Sequence, residues 1–177
     1  MRKPPAALAA RDAAAAIADV SGEVFVNVHP LELGDPDLAD PEAPLSRVAH
    51  RVILEITERA ALHDLMAARD QVAVLRRCGY RIAVDDLGAG YAGLTSVAAL
   101  NPDLVKLDMS LVRDIDKSPA RAKLVSGLTA IARDMEIGVV AEGVETDAEL
   151  EKLRGFGCEI FQGYRFAKPG RPYPSIT

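Results

Sequence analysis

Five short apolar runs in this 177-residue chain each end in an acidic, amide or cationic side chain: Phe25 to Asn27, Val52 to Glu55, Ile82 to Asp85, Leu104 to Lys106, and Val139 to Glu142. Stretches with helical periodicity separate them, so the chain reads strand, helix, strand, helix, the pattern of parallel strands joined by helical crossovers. In a closed barrel of that kind, polar residues at the C-terminal ends of the strands converge on one mouth. Alternation along a strand puts Ile53, Glu55 and Thr57 on one face, and Leu104, Lys106 and Asp108 together on another. The length suffices for one domain with a real core but falls short of the roughly 250 residues typical of an eightfold barrel. The expected fold is therefore α/β, a TIM-type (β/α) barrel that is incomplete.

Composition narrows the function classes. With 49% hydrophobic and 27% charged residues and no apolar run long enough to span a membrane, the chain reads as a soluble globular protein. Met1 to Ala18 lacks the strongly apolar centre of a secretory signal, and a cytoplasmic location is expected. Cys78 and Cys158 are too isolated for a disulfide framework or a zinc knuckle and read as free thiols. A net charge of -5 argues against general affinity for DNA, although metal ions could still bring in an anionic substrate.

Residues 1–22 read as an N-terminal helical segment, 23–169 as the barrel domain and 170–177 as a tail. Residues Pro30 to Pro44 carry four prolines and five acids and predict loops or short turns. A short helix from about Ser46 leads into the strand Val52 to Thr57. In Ala61 to Cys78, Leu62, Met66, Val74 and Leu75 recur near helical spacing, and Gly79 is a stop signal. Pro119 suits the first turn of a helix whose one face is marked by Leu124, Leu128, Ile131 and Met135. Thr146 and Glu149 resemble a capping box, Gly155 is the expected C-terminal cap, and Cys158 to Phe161 form the last strand.

Several carboxylates gathered at one mouth repel one another and must be neutralised by cations or protons. The hard oxygens of Asn27, Glu55, Asp85, Asp86 and Glu142 suit magnesium or manganese rather than zinc. The adjacent pair Asp85-Asp86 suggests two metals, which can generate a hydroxide and stabilise an in-line phosphoryl displacement. Lys106 could orient the water or offset developing charge. The plainer readings are a Lys106–Asp108 salt bridge, an ordinary Gly88-Ala89-Gly90 turn, a strand exit at Gln162, and surface roles for His29, His50 and His63. Another open reading is a barrel enzyme that abstracts a proton beside a carboxylate.

At these residues the chain resembles the EAL domain, the bacterial phosphodiesterase family that hydrolyses the second messenger cyclic di-GMP. The segments that carry the resemblance are Val26-Asn27-Val28, Leu54-Glu55-Ile56-Thr57-Glu58, Ala83 to Tyr91, Val105-Lys106-Leu107-Asp108, Val140 to Thr146, and Gln162-Gly163-Tyr164. The resemblance implies a modified eight-stranded barrel, signal transduction, and two-metal hydrolysis to linear pGpG. It implies that Asn27, Glu55 and Asp85 hold one metal while Asp85, Asp86 and Glu142 serve the other. Lys106 would position or help activate the water, Gln162 would lie near it, and Glu58 would brace the loop from Asp86 to Tyr91. Gly88, Gly90, Asp108 and Glu145 would support the site. The expected partners are cyclic di-GMP, a second copy of the chain, and GGDEF, receiver or other sensory domains in a longer protein.

Two departures matter. The family's first antiparallel strand and the next strand, which bears the Glu-Ala-Leu signature, have no counterpart here, and Ala6-Ala7-Leu8 does not supply it. A ligand of the first metal and an arginine contact to phosphate are thereby missing, and about six of eight strands are expected. Leu87 and Ala89 stand where Phe and Thr are common. The expectation is a cyclic di-GMP phosphodiesterase domain lacking its N-terminal strands and impaired in catalysis. The alternative is a degenerate module that binds cyclic di-GMP or a protein partner.

Overall fold

The computed structural model describes residues 17, 22–57, 65–88, 93–168 and 170. Six strands form one parallel sheet in sequence order: β1 (Val24–Val28), β2 (Val52–Thr57), β3 (Arg81–Leu87), β4 (Leu104–Leu107), β5 (Gly138–Ala141) and β6 (Ile160–Phe161). Parallel neighbours need long crossovers, and helices supply them. A four-residue helix, α1 (Pro36–Ala39), and the 3-10 turns Pro30–Glu32 and Ser46–Arg51 join β1 to β2. The helices α2 (Leu65–Arg77) and α3 (Gly93–Leu100) follow β2 and β3. After β4 come α4 (Met109–Val112) and α5 (Pro119–Asp134), and α6 (Asp147–Gly155) follows β5. This is the six-stranded arc of a (β/α) barrel. Among the described residues no helix is long and apolar enough to cross a membrane.

The sheet buries both faces, as parallel sheets do. Leu54, Ile56, Ile82, Val84, Val105 and Leu107 point outward and pack with Val72, Leu75, Val97, Val125 and Leu153 of the helices in one large core. Ile53, Ala83, Leu104 and Val140 form a second, inner cluster with Phe25 against it. Truncating a fully buried member such as Leu54 or Ile82 to Ala costs about 2–5 kcal/mol.

Two helices turn a different face inward than their largest apolar residues predict. In α2 the buried line is Ala68, Val72 and Leu75, while Met66 and Val74 are exposed; Leu62 lies outside the described residues. In α5 the buried line is Val125, Thr129 and Ala132, and Leu124, Ile131 and Met135 face outward. Both inward lines follow the i, i+4, i+7 spacing and include small residues that let the helix sit close on the sheet. The capping box of α6 is present, but the helix includes Gly155 and is capped by Phe156, with Gly157 in the left-handed region at φ 92°. The last strand is Ile160–Phe161, shorter than expected. The alanine-rich Ala6 to Ala18 lies outside the described residues except for Ile17, which is helical and fully buried.

Candidate active site

The inner apolar cluster sets the position of the polar one. Phe25, Ile53, Ala83, Leu104 and Val140 lie on the concave side of the sheet, and the side chain two residues further along the chain, on the strand or, after β5, just past its end, shares that face. Those side chains are Asn27, Glu55, Asp85, Lys106 and Glu142. An apolar floor thus carries a charged layer at the C-terminal ends of the strands. Asn27, exposed on β1, stands beside Glu55 in the β1–β2 register.

β3 adds one more acid by breaking its own alternation. Val84 pairs with Val105 and Leu87 with Leu107, so Asp85 and Asp86 together oppose Lys106 alone, which is a bulge. Asp86 adopts a left-handed backbone at φ 62°, uncommon for a residue with a side chain. Its N–H donates to Asp85 Oδ1 at 3.0 Å. The bulge keeps both neighbouring carboxylates at the mouth, Asp85 toward Lys106 and Asp86 on an adjoining cleft.

Lys106 occupies the centre. Its ammonium contacts Glu55 Oε1, lies 2.5 Å from Glu142 Oε1 and 3.2 Å from Asp85 Oδ1, and sits 5.7 Å from the Phe25 ring centroid. Its side chain is only 6% exposed. Burial lowers its pKa, but the hydrogen bonds to Glu142 and Glu55 and their charges outweigh it, and Lys106 is held above the ordinary lysine range. Burial pushes Glu55 and Glu142 up from the ordinary carboxylate value, against the pull of Lys106 and with the repulsion of Asp85. One ammonium faces three carboxylates, so the layer carries excess negative charge on hard oxygens. That donor set fits divalent cations of the magnesium or manganese type.

The Lys106–Asp108 salt bridge is corrected. β4 ends at Leu107, and Asp108 turns away to cap α4, its carboxylate accepting the Ser110 N–H at 2.9 Å. A cleft of about 480 Å³ opens beside the charged layer, lined by Asp86, Asp108, Glu142, Glu145 and Gln162, with Arg113 at its wall. Gly88, in the left-handed region, lies against Leu111. Glu58 and Gly90 lie outside the described residues.

Sequence reasoning missed Arg113 and the reach of Glu149. Arg113 pairs with Glu145 at the cleft wall. Glu149, legible only as half of a capping box, is buried and also binds the distant Asp114 N–H. Asp114, Asp116 and Glu149 bring one oxygen each within 4.8 Å of one another. Backbone N–H groups occupy both Glu149 oxygens and Lys117 holds Asp114, so this group is structural.

A family model described as the EAL domain matches residues 6–169. The cyclic di-GMP phosphodiesterase RocR of Pseudomonas aeruginosa is 35% identical over 147 residues, 81% of this chain and 38% of RocR. A standalone EAL protein from Vibrio cholerae O395, solved with cyclic di-GMP bound, superposes with a TM-score of 0.85 at 29% identity, over 97% of this chain and 74% of that one. Klebsiella pneumoniae BlrP1, solved with manganese and cyclic di-GMP, gives a TM-score of 0.77 at 31% identity, over 96% of this chain and 43% of BlrP1. The chain spans 38% of the length of RocR and 15% of that of the cyclic di-GMP phosphodiesterase NbdA of Pseudomonas aeruginosa, so it covers well under two thirds of these curated relatives.

Proposed function

The chain belongs to the EAL domain family, and from that premise we propose that it hydrolyses cyclic di-GMP to linear pGpG with two divalent cations, Mg2+ or Mn2+. The observation that carries this reading is the convergence of Glu55, Asp85 and Glu142 on Lys106, with Asp86 beside them on the cleft. Asn27, Glu55 and Asp85 would hold one cation, and Asp85, Asp86 and Glu142 the other. Bound there, the cations would supply Lewis acidity and an activated water. Lys106, held protonated, offers hydrogen bonds and positive charge, not a base; this argues against proton abstraction beside a carboxylate. Gln162 lines the cleft and would lie near the water and substrate, and Glu58 would brace the Asp86 to Tyr91 loop.

Turnover is proposed to be reduced, because the sequence holds no Glu-Ala-Leu segment to supply a further ligand of the first metal. The same feature favours the second reading, a regulatory module that binds cyclic di-GMP without cutting it. The barrel is proposed to span 23–169, between an N-terminal helical segment and a short tail. Leu124, Ile131 and Met135 face outward, while Leu128 packs on the core, and these three exposed apolar side chains support pairing of α5 with a second copy. GGDEF, receiver or other sensory domains are the regulatory partners this reading implies. The free thiols Cys78 and Cys158 support a reducing, cytoplasmic location.

The test is to incubate the chain with cyclic di-GMP and Mn2+ and to follow binding and pGpG together. Metal-dependent product that disappears in Glu55→Gln supports the enzyme. Binding without product selects the regulatory module, and the absence of both binding and product overturns the cyclic di-GMP reading of this chain.

A further inference from the structure

The segment from Glu142 to Thr146 carries Glu142 and Glu145 between β5 and α6, and it is pinned from three directions. Gly143, at φ 69°, brings the backbone so close to α4 that a Cβ there would stand 2.6 Å from Met109 Cβ. On the opposite side, the Val144 N–H donates to Gln162 O at 3.1 Å and Val144 O accepts the Arg165 N–H at 3.0 Å. Gly163 packs so tightly there that a Cβ would collide with the Val144 backbone. The third direction is Glu149. Its Oε2 accepts the N–H groups of Glu145 at 2.9 Å and Thr146 at 3.0 Å, and its Oε1 accepts the Asp114 N–H at 2.8 Å.

A capping box needs only the bond to Thr146. A glutamate in the first turn of a surface helix is ordinarily solvated, whereas this one is 4% exposed. The third bond crosses 35 residues of sequence to a turn in which Asp114 takes a left-handed backbone at φ 53°. A charge-assisted bond offsets the strain of that conformation. Beside it, Arg113 pairs with Glu145, so two contacts join the same turn to the same loop. Burial of Glu149 would raise its pKa, but the three backbone donors prevail and hold it below the ordinary value.

We propose that Glu149 is a positioning residue that clamps the Arg113–Asp114 turn to the Glu142–Thr146 loop and so fixes Glu142 and Glu145 at the cleft. The proposal rests on the phosphodiesterase reading for its effect on metal, while the clamp itself is a property of the fold. Gln in place of Glu149 keeps the size but has one acceptor oxygen, so its amide NH2 must face a backbone N–H on one side.

The test compares Glu149→Gln, Thr146→Ala and the exposed control Glu151→Gln in the full chain. Amide hydrogen exchange and Mn2+ titration are measured on each. In Glu149→Gln, exchange at Asp114 or at Glu145 and Thr146 rises about tenfold or more, while amides of β2 and β3 keep their protection. Mn2+ affinity falls roughly 10- to 100-fold. Thr146→Ala, which removes only the helix cap, leaves Asp114 protected. Unchanged exchange at all three amides in Glu149→Gln overturns the clamp, as does unchanged Mn2+ affinity in a variant whose amides have opened. A wild-type chain that binds neither Mn2+ nor cyclic di-GMP overturns the functional reading instead, and exchange at these amides then decides the clamp alone.

Discussion

Replacing Lys106 with Met tests the electrostatics of the charged layer directly. The ammonium contacts Glu55 and stands 2.5 Å from Glu142 and 3.2 Å from Asp85, all on side chains at most 19% exposed. Methionine fills a similar volume but leaves three carboxylates with no cation among them. Removing one partner of a buried ion pair costs about 3–5 kcal/mol. For a chain of this size each kcal/mol moves Tm by about 2–4 °C, so Lys106→Met should melt about 6–20 °C lower in EDTA. The loss depends on pH in a stated direction. Without Lys106 the folded-state pKa values of Glu55 and Glu142 rise further above their unfolded values, so protonation relieves the penalty at low pH. The deficit is therefore smallest in acid, below the unfolded carboxylate value of 4.5, and grows as pH climbs through the raised folded values, so an acid and an alkaline buffer bracket it. Mn2+ at roughly a hundred times its Kd should return about 2.7 kcal/mol. Circular-dichroism melts at both pH values, with and without Mn2+, measure all of this. A Lys106→Met melt within about 2 °C of wild type in EDTA at about pH 8 would refute the reasoning.

Glu55 and Glu142 hold their protons above the ordinary carboxylate value of 4.5 and must lose them to ligate metal. Mn2+ affinity measured by calorimetry should accordingly rise with pH just above that value and level off once both are ionised; a flat profile there contradicts the assignment. Burial pushes the Cys158 thiol up to about 11, while Cys78 is only half-buried, so Ellman's reagent at neutral pH should label one thiol in the folded chain and two after denaturation. If α5 pairs two copies, Leu124→Glu with Ile131→Glu should convert a dimer to a monomer in sedimentation with little change in Tm, since both side chains are about half exposed.

The charged layer was legible because it depends only on strand period. Once the apolar runs are strands, the residue two beyond Phe25, Ile53, Ala83 and Leu104 must share their face, and Glu142, directly after β5, stays on it because its N–H still bonds Leu107 O of β4 at 3.2 Å. What failed depended on tertiary contact. The faces read for α2 and α5 hold at Leu75 and Leu128, which meet the core, but fail at Met66, Val74, Leu124 and Ile131, because small residues such as Ala68, Ala132 and Thr129 won the sheet contact. The Lys106–Asp108 salt bridge, one of the plainer readings, fails because β4 ends at Leu107 and Asp108 turns away to cap α4. The acids Asp85 and Asp86 were visible as a pair, but only the bulge that opposes both to Lys106 explains how each stays at the mouth. Thr146 and Glu149 carry a local capping signal, whereas the bond from Glu149 to Asp114 joins residues 35 apart and no sequence period announces it.

The most direct measurement is hydrolysis of cyclic di-GMP by the purified chain in 18O-labelled water with Mn2+, read by mass spectrometry. The account predicts pGpG carrying one solvent oxygen on its new phosphate, formed only with metal and lost in Glu55→Gln and Asp85→Asn. Cyclic di-GMP that binds and stays intact, or product that survives EDTA or either substitution, would contradict it.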